Sequence, residues 1–283
     1  MTPPVARSFV ARDGIEVALL DWGGSHDEPL VVFVHATGFC KEVCVPIVDD
    51  LLARTTRLRA VAIDQRAHGD SDVPPVPFDW WDSGRDLVEL VAGAAQVVGV
   101  GHSAGGAALL LAELLHPGTF TGLVLVEPIV FPPPYGRYPD NPMAAMARRR
   151  RRRFPSREAA FANWRPKAAF ADWEERALWA YVDGGLRREN GHLTLKCTPE
   201  AEAEFFIAAT DHRAWDRLSD IEVPAHVIAG ATSTTHRQPF LDELTGRMPQ
   251  ADYEIVPNAG HMVWMERPQL IADRVAKVVE ALG

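Results

Sequence analysis

The sequence predicts an α/β layered protein: a mostly parallel, eight-stranded sheet flanked by helices and carrying one helical insertion. Three observations point there. Six short apolar runs recur, at residues 30–34, 58–63, 96–100, 123–126, 225–229 and 253–256, of the kind that survives burial on both faces of a sheet. Helical stretches lie between them, and alternating strand and helix implies parallel strands joined by right-handed crossovers. The alternation breaks once, from residue 131 to about residue 223, where no such run occurs.

Taken in order, residues 8–12 and 15–20 form two strands around Asp13-Gly14. That pair tolerates positive φ and reads as a two-residue hairpin, so the chain opens antiparallel. The helices are clearest at 104–115, which stops before His116-Pro117-Gly118, and at 268–282, which begins with a proline tolerated in the first turn and ends before Gly283. The break opens with Pro132-Pro133-Pro134-Tyr135-Gly136, a stiff linker, and continues in Ala-, Arg-, Glu- and Trp-rich composition. The expected organisation is one core domain, residues 1–131 and 223–283, with residues 132–222 inserted as a helical cap. No internal repeat is found.

Among the 283 residues, 29 Lys and Arg face 38 Asp and Glu, a net charge of −9. With 24% charged and 8% aromatic residues, intrinsic disorder, a collagen-like chain and a disulfide scaffold are excluded. The acidic balance argues against a nucleic-acid partner. Cysteine occurs three times, at Cys40, Cys44 and Cys197, without the paired spacing of a zinc or redox site. No metal is therefore expected. The first residues lack a basic region followed by an apolar stretch, and no run reaches the roughly 18 apolar residues of a membrane span. The expectation is a cytoplasmic protein with no membrane partner; a homodimer stays open.

Gly101-His102-Ser103-Ala104-Gly105 sits where a buried run gives way to a helix, the strand–turn–helix setting that a G-x-S-x-G pattern needs. The glycines permit a tight turn that lifts the Ser103 hydroxyl off the strand end, while the amide of Ala104 at the helix N-terminus points toward any oxyanion formed there. Small residues are also what a strand packed on a helix requires, so the setting rather than the pentapeptide carries the reading. His261 follows the last buried run and precedes the C-terminal helix, where a loop can bring imidazole over the C-terminal edge of the sheet. Serine is a poor nucleophile at its own pKa, and an adjacent base that takes its proton is what the chemistry demands.

These motifs resemble those of the α/β-hydrolase superfamily, over nearly the whole chain. Val32-Phe33-Val34-His35-Ala36-Thr37-Gly38-Phe39 is similar to the family's strand-3 H-G-x loop, and Asp64-Gln65-Arg66-Ala67-His68-Gly69-Asp70-Ser71 to its D-x-R-G-H-G-x-S stretch, with Ala36 and Ala67 where glycine is usual. The resemblance implies a mostly parallel α/β-hydrolase sheet, and makes the backbone N–H of Thr37 a second oxyanion donor beside Ala104. It leaves His35 and the Asp64 loop as braces. Most relatives place the acid in a G-x-x-D turn after the strand that follows the cap; here Gly230-Ala231-Thr232-Ser233-Thr234-Thr235 has no carboxylate. A histidine that becomes imidazolium still wants an acceptor for its other N–H. The family's strand beside the nucleophile strand ends in Glu127 here, and adjacent strands lie about 4.8 Å apart, close enough to reach the same histidine. Glu127 is the expected acid, as resembled in haloalkane dehalogenases and zearalenone-type lactone hydrolases; Asp211, Asp216 and Asp220 are the rivals.

Dehalogenases and epoxide hydrolases of this fold use an aspartate nucleophile, which Ser103 excludes. The implied chemistry is acyl transfer without metal or organic cofactor, on a small, mainly apolar ester or lactone. A carbon–carbon bond hydrolase using the same triad, and a ligand receptor with little turnover, are the alternatives. Trp80, Trp81, Phe131, Trp164, Trp173 and Trp179 read mainly as core. Phe39, beside the oxyanion loop, and Trp264, three residues after His261, are the expected substrate-lining residues. The six arginines at 148–153 spread around a helix and read as a solvated cap surface. Cys40 and Cys44, four apart, lack further ligands for a metal.

Overall fold

The computed structural model describes residues 3–55 and 57–282. Met1, Thr2, Thr56 and Gly283, the last of them the glycine expected to end the final helix, lie outside the described residues. Eight strands form one sheet: β1 (Val5–Val10), β2 (Glu16–Asp21), β3 (Leu30–Val34), β4 (Arg59–Ile63), β5 (Val97–His102), β6 (Gly122–Val126), β10 (Ala225–Gly230) and β11 (Ala251–Val256), in the order β1-β2-β4-β3-β5-β6-β10-β11. β2 runs antiparallel to β1 and to β4, and the remaining pairings are parallel.

Side chains alternate across these strands with period two. In β3, Val31 and Phe33 enter one core together with Ile47 and Leu51 of α1 (Val45–Leu52) and Val275 of α10 (Pro268–Glu280). Leu30, Val32 and Val34 enter the other, with Leu87 of α2 (Trp80–Leu90) and Leu109 of α3 (Ala104–Leu115). Helices on both faces explain why the runs are apolar on both sides. β5 and β3 are central, so the end of β5 opens onto the middle of the sheet's C-terminal edge.

Two expectations are corrected. The first hairpin closes with three loop residues rather than two: Ala11 N–H donates to Ile15 O (2.8 Å), Gly14 N–H donates to Ala11 O (2.8 Å), and Gly14 takes the left-handed conformation at φ 87°. That is a turn followed by a glycine bulge, which suits the strand twist as well as a two-residue loop does. The insertion, expected to be wholly helical, holds α4 (Pro142–Arg148), α5 (Arg157–Trp164), α6 (Glu175–Gly184) and α7 (Pro199–Ala208), but also a three-stranded antiparallel sheet of β7 (Arg153–Phe154), β9 (His192–Leu195) and β8 (Leu186–Glu189). β8 and β9 are joined by Asn190-Gly191, both at positive φ (48° and 78°), the turn that a two-residue hairpin demands. The strands are too short and charged to register as buried runs, while Asn-Gly itself was a readable signal. Residues 240–246 form α8 (Phe240–Gly246), and α9 (Val263–Glu266) precedes α10. Among the described residues, no helix is long and apolar enough to cross a membrane.

Candidate active site

Ser103 is the hinge between β5 and α3, at φ 54° and ψ −112°. The turn is possible because glycines let backbones meet: a Cβ on Gly105 would lie 2.6 Å from the carbonyl carbon of Val34, and one on Gly101 2.6 Å from that of Gly105. Ser103 N–H donates to Val126 O (2.8 Å) and Ser103 O accepts from Ile129 N–H (3.1 Å), so the strained residue is held by the end of β6 and the loop after it. A left-handed serine costs on the order of 1–3 kcal/mol and persists only where its surroundings over-determine it.

The imidazole of His261 reaches this hydroxyl across 158 residues of sequence. Ser103 Oγ–H donates to His261 Nε2 (3.2 Å), and His261 Nδ1–H donates to Glu127 Oε2 (2.5 Å). Because a carboxylate only accepts, the proton of the neutral imidazole belongs on Nδ1, leaving Nε2 free to receive the serine's. Ser103 is 7% exposed and the His261 side chain 28%. The loop bearing His261 is tied to the end of β10: Thr232 N–H and Thr232 Oγ1–H both donate to Ala259 O (2.9 Å each), and Gly260 N–H donates to Glu266 Oε2 (2.8 Å). Under it, His102 Nε2–H donates to His261 O (2.8 Å). Burial, with the nearby His261 adding to it, pushes the His102 imidazolium down to about 3, so His102 serves as a neutral prop.

Glu127 is fully buried and sits at φ 45°, the first residue past β6. Its carboxylate is gripped from the turn after β10: Oε1 accepts from Gly230 N–H (2.9 Å), and Oε2 from Ser233 Oγ–H (2.8 Å). His236 lies alongside, its Nε2–H donating to Pro128 O (3.0 Å) and its Nδ1 3.4 Å from Glu127 Oε2. Burial alone would raise this carboxyl, but the hydrogen bonds and charges of His236 and His261 outweigh it and hold it well below the usual carboxylate range. The turn that carries an acid in other relatives thus supplies hydroxyl and amide donors to an acid on the neighbouring strand. The rival aspartates are engaged elsewhere or exposed: Asp216 accepts from Tyr135 Oη–H (2.6 Å), Asp220 pairs with Arg217 (3.1 Å), and Asp211 is exposed.

Ala104 follows the serine at the start of α3, and Thr37 lies two residues past His35, whose backbone abuts Gly105; among the described residues neither amide is seen to donate a hydrogen bond. The loop around Thr37 is braced from below: Gly38 N–H donates to His68 Nε2 (2.8 Å), His35 Nε2 accepts from Gln65 N–H (3.2 Å), and Asp64 accepts from both the backbone N–H and the ammonium of Lys41 (2.7 Å each). Ala67, where glycine is usual, takes the left-handed conformation at φ 64°. Phe39 packs against Trp173 and Tyr181 of the insertion, with centroids 5.3 Å and 5.1 Å away.

Trp264 is corrected. Its side chain is 0% exposed, stacks on His102 (5.8 Å), meets Phe33 edge-on (6.3 Å) and donates from Nε1–H to Val43 O (3.3 Å). It lies beneath the site and lines no surface that a substrate could touch. The helix carrying it turns its indole into the core below β3. Sequence reasoning missed His102, Ser233 and His236, which act through His261 and Glu127; the Ser/Thr-rich turn at 232–235 was the available signal. It also placed residues 148–153 on a solvated helix, whereas α4 ends at Arg148 and Arg150 turns inward onto Glu202 and Tyr181.

One grouping among the described residues brings metal-ligand atoms together, Glu127 with His236 and His261, within 4.8 Å of one another. These atoms are already engaged in hydrogen bonds, His261 Nδ1 with Glu127 Oε2 (2.5 Å) and His236 Nδ1 with Thr235 Oγ1 (3.0 Å). The three cysteines are buried and free.

Comparison with known proteins gives a consistent picture. Residues 31–274 match the model of the alpha/beta hydrolase family. A type I acyl-CoA thioesterase, mpaH of Penicillium roqueforti, is 29% identical over 172 residues, 53% of this chain and 40% of that protein. The matched stretch thus spans less than half of that relative, and 30% of two similar thioesterases of Penicillium brevicompactum. The 2-(acetamidomethylene)succinate hydrolase of Mesorhizobium japonicum is 23% identical over 260 residues, covering 89% of this chain and 88% of that protein. Among solved structures, the peroxisomal alpha-beta-hydrolase Lpx1 of Saccharomyces cerevisiae superposes with a TM-score of 0.82 at 18% identity, covering all of this chain and 90% of the other. The E-2-(acetamidomethylene)succinate hydrolase structure gives 0.81 at 20% identity, covering 98% and 99%. With its eight-stranded sheet and a family match that spans most of its length, the chain belongs to the alpha/beta hydrolase family.

Proposed function

We propose that the protein is a cofactor-independent serine hydrolase that cleaves an ester or lactone of a small, mainly apolar molecule. The observation that carries the reading is the continuous hydrogen-bonded line from Ser103 Oγ through the His261 ring to Glu127, at 3.2 Å and 2.5 Å. As Ser103 Oγ attacks the carbonyl carbon, its proton passes to His261 Nε2, and the imidazolium so formed is stabilised by the Glu127 carboxylate. The carbonyl oxygen, now negative, takes hydrogen bonds from the amides of Thr37 and Ala104. Collapse expels the alkoxide, which leaves with the proton from His261. Water then enters and gives a proton to His261 Nε2 as its oxygen bonds to the acyl carbon; the second collapse breaks the bond to Ser103 Oγ, which takes that proton back from His261, and releases the acid. The aromatic neighbours of Phe39 in the insertion favour an apolar acyl or alcohol group.

A thioester is the second reading, favoured by the likeness to the Penicillium acyl-CoA thioesterases. Turnover of p-nitrophenyl acetate and covalent labelling by a fluorophosphonate test the proposal. Ser103→Ala is expected to reduce turnover by on the order of 10³-fold or more and to abolish the adduct. A variant that kept its rate would overturn the assignment. Parallel assays of an aryl lactone and an aliphatic acyl-CoA separate the two substrate readings.

A further inference from the structure

Gly38 follows Thr37, and its backbone is held from two directions. From the core, His68 Nε2 accepts its N–H (2.8 Å). From the insertion, Tyr181 Oη–H donates to its carbonyl (3.0 Å). Tyr181 Oη is itself the acceptor of a hydrogen bond from Arg150 (2.5 Å), and the same guanidinium pairs with Glu202. A phenol has one proton. With Arg150 donating to the oxygen, that proton is directed to Gly38 O, and the adjacent positive charge strengthens it as a donor. The Glu202 carboxylate closes the arrangement: a Cβ on Gly38 would lie 2.6 Å from Glu202 Oε1 and 3.2 Å from Arg150 Nη1, and the glycine's φ is 83°.

Tyr181 and Glu202 are buried, and the Arg150 side chain is 20% exposed. They come from α6, α7 and the turn after α4, so three separate segments of the insertion converge on one glycine of the core. The geometry points to Arg150, Glu202 and Tyr181 as a clamp through which the insertion sets the backbone of the oxyanion loop, making them positioning residues for the hydrolysis proposed above. The clamp rests on that reading, because its effect is on the Thr37 amide. Glycine is the most freely rotating residue in the chain, so its carbonyl needs holding. That carbonyl shares a rigid peptide plane with the Phe39 N–H, which donates to Ala36 O (3.3 Å), and Ala36 O shares the next plane with the Thr37 N–H, so holding the Gly38 carbonyl steadies the direction in which Thr37 presents its own N–H. A donor displaced by about 1 Å loses on the order of a hundredfold in rate.

The test is Tyr181→Phe, which removes one hydroxyl and little volume. With p-nitrophenyl acetate, kcat is expected to fall about tenfold to a hundredfold with KM within about twofold. The inhibition constant for phenylboronic acid, whose serine adduct mimics the tetrahedral intermediate, should rise by the same factor. Glu202→Gln, which keeps an acceptor for Arg150, should show the same split to a smaller extent and secures the test if the first variant misfolds. A lower melting temperature with unchanged kcat and boronate affinity would reduce the cluster to structural support and overturn the clamp. So would an effect confined to KM for carboxylate-bearing esters, which would make Arg150 a substrate-binding side chain. If the wild-type protein neither turned over the ester nor took up a fluorophosphonate on Ser103, the hydrolase reading would fail and the clamp with it. Wild-type turnover matched by both variants would fail the clamp alone.

Discussion

Two residues of the hydrogen-bonded line, Ser103 at φ 54° and Glu127 at φ 45°, stand in the left-handed region that side chains avoid. The conformation turns each side chain off the end of its strand toward His261, and neighbouring strands oppose relaxation: Ser103 N–H is bound by Val126 O, and Glu127 N–H by Ile228 O (3.0 Å). Glu127 stays ionised at any pH above the usual carboxylate range, since its two histidine neighbours more than offset burial. Its role is then to hold Nδ1–H and to balance the imidazolium charge. Glu127→Gln keeps the size but removes the charge and permits the wrong tautomer, so kcat for an activated ester should fall by about 10³-fold to 10⁴-fold. Steady-state kinetics would show it, and a near-normal rate would move the acid to another side chain. That Glu127 faces the histidine could be inferred from its place at a strand end. The donors that surround it could not, because Ser233 and His236 lie 106 and 109 positions further along the chain.

At the scale of elements, the strand-to-helix elbow is a tight joint. The first turn of α3 presses on β3 so closely that Gly105 has no room for a methyl group. Gly105→Ala is expected to destabilise the fold by about 2–3 kcal/mol through overpacking, read as a drop in the urea midpoint. It should also lower activity, because the same contact sets the distance between the Ala104 amide and the oxyanion loop. An unchanged midpoint would mean that α3 shifts freely, contrary to its packing. Elements with strong periodicity were legible: β3, β5 and β6 as apolar runs, and α3 between a small-residue turn and His116-Pro117-Gly118. The small sheet of the insertion escaped notice because β7 has two residues and β8 exposes Arg187, Arg188 and Glu189 and buries only Leu186, so that alternation is confined to the four residues of β9.

For the whole molecule, stability is tied to neutral histidines. Burial drives His35, His68, His102 and His212 below their usual titration, His68 and His212 to about 4 and His102 to about 3. Each of these four binds a proton in the unfolded chain near pH 6.5 but not in the fold. The unfolded state therefore holds more protons as pH falls through that value, so stability is fully present above it and is lost below it. Between pH 7.5 and pH 6.0 the four rings together should cost on the order of a few kcal/mol, less than about 1 kcal/mol each, and the Asp64 carboxyl, which burial raises to about 6, offsets a small part of it. Urea denaturation at the two pH values measures it, and equal midpoints would contradict the burial of these rings. Three of the four support the site directly: His35 and His68 brace the loop of Thr37, and His102 carries the backbone of His261.

The sequence by itself determined the layered α/β plan, the serine turn and the histidine loop, because each is written in a short local pattern: a period of two, a glycine-flanked turn, a strand followed by a helix. Only the tertiary structure decided which donors grip the Glu127 carboxylate, that Trp264 lies under the site instead of lining it, and that one arginine of six turns inward to hold Tyr181 over the oxyanion loop. Those outcomes depend on contacts between segments tens to hundreds of residues apart. Hydrophobic patterning sets which face of an element is buried, but not which side chain of a distant element it will meet there.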